Sequence, residues 1–302
     1  MMERYESATA TAVVESPYQL VLLTPAAIHG AEPRAQAEFR LPSLRGVWRY
    51  FWRTLQDQPN VNDLLREEEI MFGGTRVMKQ QSPVHLSMSE TVQGAKKENI
   101  LPHKSSSFTV PALSAGKEVT VTVSVRKRHE SKLEMYEWYF QYMLHLAGIG
   151  QRSRRGFGAV QWTGHEWNTV EEYANSLHTV LSHLGVASAF SFASRGCIVA
   201  RTAAVKTPHP ILFAVWVGEG KDSASEVLKG FGKASHEANR YGTLGFVHGR
   251  DKLASPLWCT VRKIGGRYYP IISEVRTNEQ RYNEPRYEQD RKRFLEIVGV
   301  RV

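Results

Sequence analysis

Gly148-Ile-Gly-Gln-Arg-Ser-Arg-Arg-Gly-Phe-Gly158 is the stretch from which the fold is read. Glycine lets a backbone adopt positive φ and approach a ligand without an intervening Cβ. Arginine offers a planar fork of donors that fits phosphate oxygens in pairs. A loop that alternates the two is suited to an extended anionic polymer; the alternative is a glycine-rich turn whose arginines are merely solvated. Upstream, Leu133, Tyr136, Phe140, Met143, Leu144 and Ala147 recur at helical spacing, and Phe157–Trp162 downstream is strand-like. The loop therefore joins a helix to a strand.

A second well-determined stretch is Phe39-Arg-Leu-Pro-Ser-Leu-Arg-Gly-Val-Trp-Arg-Tyr-Phe-Trp-Arg53. Pro42-Ser43 supplies a stop and an N-cap before Leu44. On a helical wheel Leu44, Val47, Trp48, Phe51 and Leu55 form a core face. Arg45, Arg49 and Arg53 follow i, i+4, i+8 beside Trp52, with Arg40 just before them. Like charges in a row repel, and an anion lying along the stripe would relieve them. A solvated face with Trp52 in the core is the competing expectation.

Around these stretches the spacing predicts a strand at Tyr18–Leu23, an acidic helix over Asn62–Met71, and strands at Val84–Met88 and Val119–Val125. The order strand, helix, strand, strand, helix, strand is that of a ferredoxin-like domain, which RNA-recognition motifs share. Residues 166–302 are expected to form a second, looser copy after a first domain at 1–165. In it, helices at Val170–Leu184, Ser223–Tyr241 and Tyr287–Val298 accompany strands at Ile198–Val205, Ile211–Val217, Leu257–Ile264 and Arg267–Ile272. Gly265-Gly266 marks a hairpin between the last two strands. Residues 1–16 have no clear period, and 94–117, rich in Ser, Pro, Gly and Lys, reads as a functional loop or clamp.

The 302 residues carry a formal charge of +9, which favours an acidic partner, nucleic acid before a membrane surface. Much of that charge is arginine beside aromatic residues, a mixture suited to RNA. Two isolated cysteines, Cys197 and Cys259, argue against a disulfide framework or a zinc knuckle and fit a reducing compartment, the cytoplasm. No early apolar segment reads as a signal peptide, and no run is long enough to span a membrane.

Catalytic signatures are sparse. Gly230-Phe-Gly-Lys-Ala-Ser235 lacks the glycine a phosphate-binding loop needs at Val227 and sits in a helical run. His236-Glu237 and His165-Glu166 lack the second histidine of a zincin, and Gly-x-Ser-x-Gly is absent. Asp57, Asp63, Asp222, Asp251 and Asp290 are scattered, whereas a two-metal centre wants clustered carboxylates. His29, after the first strand, is a candidate general base on an RNA 2′-hydroxyl, with RNA contact or turn capping as its plainer roles. No cofactor is expected.

Leu23-Thr-Pro-Ala26, the Phe39–Arg53 stretch and the Gly148–Gly158 loop together resemble the RAMP superfamily of CRISPR proteins. The likeness is nearest to the first subunit of the Cmr (type III-B) effector. Gly249-Arg-Asp-Lys-Leu-Ala-Ser-Pro-Leu257 and Gly266-Arg-Tyr-Tyr-Pro270 are weaker echoes, and the chain is compact for that family. The resemblance implies an α+β fold of two tandem ferredoxin-like (RRM-like) domains, with the glycine-rich loop in the first. It implies a non-catalytic subunit at the end of a filament built on CRISPR RNA, contacting other Cmr subunits and engaging target single-stranded RNA near the guide's 3′ end. Cleavage in such complexes is attributed to the repeated backbone subunit and nucleotide cyclisation to the large polymerase-like one. On this reading Arg40, Arg45, Arg49, Arg53, Arg152, Arg154 and Arg155 bind RNA with Gly150. Trp52 and Phe157 stack bases or brace the loop, His29 and Arg34 are outlying members, and the helix N-terminus and the loop converge on one groove. Two alternatives share the fold: a metal-independent CRISPR RNA-processing endoribonuclease using His29, and a subunit whose basic face mainly docks other proteins.

Overall fold

The computed structural model describes residues 12–101 and 108–301. Strands β1 (Val13–Leu22), β2 (Val84–Met88), β3 (Glu118–Arg126) and β4 (Val160–Trp162) form an antiparallel sheet in the order β2-β3-β1-β4. Helices α1 (Leu41–Arg53) and α3 (Leu133–Leu146) complete the ferredoxin-like βαββαβ path, with α2 (Val61–Phe72) inserted after α1. Alternation decides which face is buried: Val119, Val121, Val123 and Val125 of β3 all point into the core.

β1 begins well before the expected Tyr18. Val13–Tyr18 pairs with β3 on one side, while β4 reaches only Leu20–Leu22 on the other. An edge-like stretch accommodates Pro17, which cannot donate to a ladder. Residues 1–11 of the expected leader lie outside the described residues.

The second sheet has five antiparallel strands: β5 (Phe190–Phe192), β6 (Cys197–Arg201), β7 (Ile211–Val217), β8 (Leu257–Ile264) and β9 (Arg267–Arg276), in the order β8-β9-β7-β6-β5. Gly265 and Gly266, at φ +52° and +81°, turn the β8–β9 hairpin as expected. This sheet carries the ferredoxin order with one change: the place beside β7 is taken by β6, which precedes β7 in the chain. Helices α5 (Ala224–Glu237) and α6 (Pro285–Ile297) cover one face. The other face shares a core with α1, α3 and α4 (Val170–His183), which lie between the sheets. Gly230–Ser235 lies within α5, with Phe231 fully buried, so it forms no phosphate loop.

Helix α1 starts at Leu41 with Arg40 as N-cap, three residues earlier than Ser43 suggested. Pro42 is tolerated in the first turn because its missing N–H would have no helical partner there. The buried face is Leu44, Trp48, Phe51 and Trp52. Trp52 is core, in edge contact with Phe72 and Tyr139, rather than a base-stacking platform. Trp48 lies edge-on to Phe72 and Phe140, both at 5.2 Å. Burying side chains of this size stabilises by about 1.5–3 kcal/mol each.

Candidate nucleic-acid interface

The arginine stripe of α1 faces α2. Glu68, whose side chain is 6% exposed, accepts from Arg49 Nε at 2.6 Å and from Arg53 Nη1 at 2.7 and 2.8 Å. Arg45 donates to the carbonyls of Phe72 and Val84 and to Ser82 Oγ at 2.6 Å. Desolvation, then the neighbouring Arg49 charge, lowers the Arg45 pKa. The anion that the stripe calls for is therefore already present, as a carboxylate of the same chain. This corrects the expectation of an unpaired cationic face.

The glycine–arginine loop follows α3, whose C-terminus is held from the second sheet. Arg262 is fully buried without a carboxylate beside it and donates to the carbonyls of Leu144, His145 (3.1 Å) and Ala147 (2.9 Å). A cation suits the negative end of a helix, and its remaining donors reach Val261 O and Thr260 Oγ1. Burial pulls its pKa down to about 10. Sequence reading missed this residue, because Arg262 sits in an alternating strand and the helix end it holds is more than a hundred residues away.

The loop then packs on the connection after β1. Thr24 Oγ1 donates to Gly156 O and accepts from Ala159 N, Gly158 N donates to Pro25 O, and Gln151 N donates to Ala27 O. Two glycines are needed for this approach. A Cβ on Gly150 (φ +88°) would lie 2.7 Å from Ala27 O, and one on Gly158 (φ +64°) 1.8 Å from Ile149 O. Phe157 is buried with Ile100 and Leu228, so it braces the loop. Ile100 belongs to the 94–117 stretch, whose described parts include a ribbon of Lys97–Asn99 with Thr109–Pro111. Residues 102–107 of that expected clamp lie outside the described residues.

The three loop arginines diverge. Arg154 reaches between the sheets to Ser255 O, with its guanidinium 4.8 Å from the Trp258 ring and 5.5 Å from that of Tyr50. Arg155 donates to Ser255 Oγ at 3.2 Å. Arg152 is exposed, adopts a left-handed conformation at φ +57°, and has no ion pair among the described residues. Desolvation, then the like charge of Arg155, lowers its pKa.

His29 and Arg40 stand on the same side as the start of the loop. His29 Nε2 is 2.9 Å from Pro111 O, and the Gln151 amide is 3.3 Å from its Nδ1. Arg40 donates to His29 O at 3.0 Å and pairs with Glu38 at 3.2 Å. Arg34 is exposed on the intervening turn. Where α1 meets the loop arginines it does so near its C-terminus and not at the N-terminus, through Tyr50, a residue the sequence reading passed over: Arg154 and Arg53 (5.9 Å) both lie over its ring. The structure thus brings His29 and Arg40 to Gln151, between Gly150 and Arg152 in the chain, and turns Arg49 and Arg53 toward Glu68 of α2 and Arg45 toward Phe72, Ser82 and Val84. Among the described residues no group of three or more His, Cys, Asp or Glu is placed to hold a metal ion, and no helix is long and apolar enough to cross a membrane.

The RAMP superfamily model matches residues 19–161, from β1 through the glycine–arginine loop into β4. The resemblance read from the motifs holds across that stretch. The chain is 26% identical, over 283 residues, to the CRISPR system Cmr subunit Cmr1-1 of Pyrococcus furiosus, covering 79% of this chain and 80% of the relative. The crystal structure of Cmr1 from Pyrococcus furiosus in its apo form superposes with a TM-score of 0.60 at 20% identity, over 88% of this chain and 89% of that one. A chain in the cryo-EM structure of the type III-B Cmr-beta bound to cognate target RNA gives 0.57 at 12% identity, over 95% and 100%. These likenesses to solved structures establish the shared fold.

Proposed function

We propose that the chain is an RNA-binding subunit of a type III-B CRISPR effector complex, one that holds RNA without cutting it. In this reading residues 1–165 and 166–302 are its two units, CRISPR RNA and target RNA its ligands, and the other Cmr subunits its neighbours. It engages the target near the guide's 3′ end. The relative's similarity over most of both chains supports the assignment to such a complex. The observation that carries RNA binding is Arg152: an exposed guanidinium in left-handed backbone, without a carboxylate partner among the described residues. Such a group offers paired donors to a phosphate.

His29 is better suited to anchoring than to proton abstraction. Both its ring nitrogens have partners within the chain, one a backbone carbonyl and the other the Gln151 amide. A general base needs a free lone pair aimed at substrate.

The test is binding of the full chain to fluorescent single-stranded RNA over a salt series in EDTA, with the RNA checked on a gel afterward. Intact RNA, bound with a steep salt dependence that Arg152→Ala reduces, is the expected result. RNA cut by the wild type and spared by His29→Ala would replace this reading with the endoribonuclease. Absence of both binding and cutting would favour a subunit that mainly docks other proteins.

A further inference from the structure

At the far end of the second sheet, three pieces of chain meet around a groove of about 680 Å³: the turn before β6, the segment after β7 and the segment after α6. Their backbones are in close contact. A Cβ on Gly218 would lie 2.4 Å from Val298 O, and one on Gly299 (φ +78°) 2.6 Å from Glu219 Cβ. The floor is therefore largely bare main chain. The rim carries Arg195, Arg267 and Arg301, and the Tyr269 ring lies over Gly220.

These cations are available. Arg195 and Arg301 are exposed, with no ion pair among the described residues. Arg267 has only Asp222, 3.3 Å away and 86% exposed, a pairing that water screens. The carboxylate on the lining, Glu219, is already held by Lys221 at 2.5 Å. Glu219 also feels the charges of Arg267 and Arg301, at longer range than Lys221. An anion entering the groove thus meets cations that are only partly neutralised, Arg195 and Arg301 making no ion pair among the described residues.

Topology gives the same answer independently. In the first sheet the glycine–arginine loop joins the second helix to the strand beside β1 and packs on the connection leaving β1. In the second sheet the strand beside β7 is β6, entered through Arg195-Gly196. The helix in the corresponding place is α6, left through Gly299-Val300-Arg301. Gly196 O accepts from Val217 N at the end of β7, and Val298 and Gly299 pack on Gly218 and Glu219 in the connection leaving it. The second unit thus has glycines and arginines where the first has its loop, assembled from two chain segments about a hundred residues apart. No linear motif reveals it.

We propose that this groove is a second single-stranded RNA site, in which Arg195, Arg267 and Arg301 hold backbone phosphates and Tyr269 stacks a base or ribose. The proposal rests on the reading of the chain as an RNA-binding subunit. The two sites lie at opposite ends of β8: Ser255, the partner of Arg154, precedes it, and Arg267 follows its hairpin turn. Eight residues of strand separate them by about 26 Å at the usual rise per residue. A strand of RNA that reaches both is held at two points on one subunit.

The experiment measures salt-dependent binding of a long, fluorescent oligouridylate to the full chain, with Arg152→Ala, with Arg195→Ala/Arg301→Ala and with all three changes. The double variant is expected to bind about tenfold more weakly, with a salt slope smaller by about 1.4, at about 0.7 per lost single-strand phosphate contact. Its melting temperature should match the wild type, because both side chains are exposed. The triple variant should add the two losses. A double variant with wild-type affinity and slope, beside a weakened Arg152→Ala, overturns the second site and leaves the loop reading standing. The reverse pattern upholds the groove and removes the loop. A wild-type chain that does not bind RNA removes both. A zero-length crosslink from 4-thiouridine RNA to the peptide containing Tyr269 is the independent positive outcome; crosslinks confined to other peptides count against the groove.

Discussion

Two arginine-rich stretches that look alike in the sequence have opposite surroundings in the structure. Along α1, Arg49 and Arg53 share the buried Glu68 carboxylate, and Arg45 is tied to main-chain carbonyls. In the 148–158 loop, Arg154 and Arg155 reach Ser255, whereas Arg152 projects outward. The difference lies in what else the fold brings within reach. A helix that packs on a neighbour along its arginine side acquires that neighbour's carboxylate. A tight glycine loop over main chain meets carbonyls and hydroxyls, and the arginine its turn leaves outside stays unneutralised. A cationic stripe is evidence for an anion, and the anion can be internal.

The largest effect expected from breaking this contrast is at Glu68. Glu68→Ala leaves Arg49 and Arg53 facing each other without their shared carboxylate, and should cost about 3 kcal/mol by denaturant unfolding. An unchanged midpoint would mean that the stripe is solvated and available after all. Next is Gly158→Ala, where positive φ and the Ile149 carbonyl oppose any side chain, for a loss of about 2 kcal/mol. Because the loop then shifts, RNA affinity should fall along with the melting temperature; stability lost with affinity intact would detach the loop from binding. Arg49→Ala should cost about 1 kcal/mol and leave the salt slope of RNA binding as it was. A slope reduced by about 0.7 would instead put a phosphate on α1 and restore the stripe to the interface.

What could be read beforehand was what depends on neighbours in sequence. The Gly265-Gly266 hairpin and the valines of β3 are local patterns, and both were legible. The first sheet was legible as an order of elements because each has its own period. The buried face of α1 came out rotated toward Trp52, because which flank of a helix is covered depends on α2, a separate element. The start of β1 was obscured by Glu15, Ser16 and Pro17, which break the apolar alternation yet pair regularly with β3. Glu68, Arg262 and Tyr50 were invisible as site-forming residues, since each matters through a partner that only the folded chain places beside it. The placing of β6 beside β7 is likewise a fact of topology that element spacing does not contain.

The finest separation of the two regions comes from Arg152 itself, because its backbone and its guanidinium have opposing demands. A non-glycine residue at φ +57° carries a strain of about 1 kcal/mol that glycine does not. If the arginine is there for the loop's shape, replacing it with glycine should leave RNA binding alone. If it is there for its charge, Arg152→Gly should weaken RNA binding as much as Arg152→Ala while differing from it in stability. Glycine removes the strain but makes the unfolded chain more flexible, so the net gain over alanine should be only about 0.5 kcal/mol. Thermal unfolding of the two variants without RNA, followed by their salt slopes with RNA, reads the two demands separately. Equal affinities with a more stable glycine variant would show that the strain is kept for the sake of the guanidinium. An alanine variant that binds like the wild type would place the functional cation elsewhere in the loop cluster, with Arg40 and Arg34 the next to change.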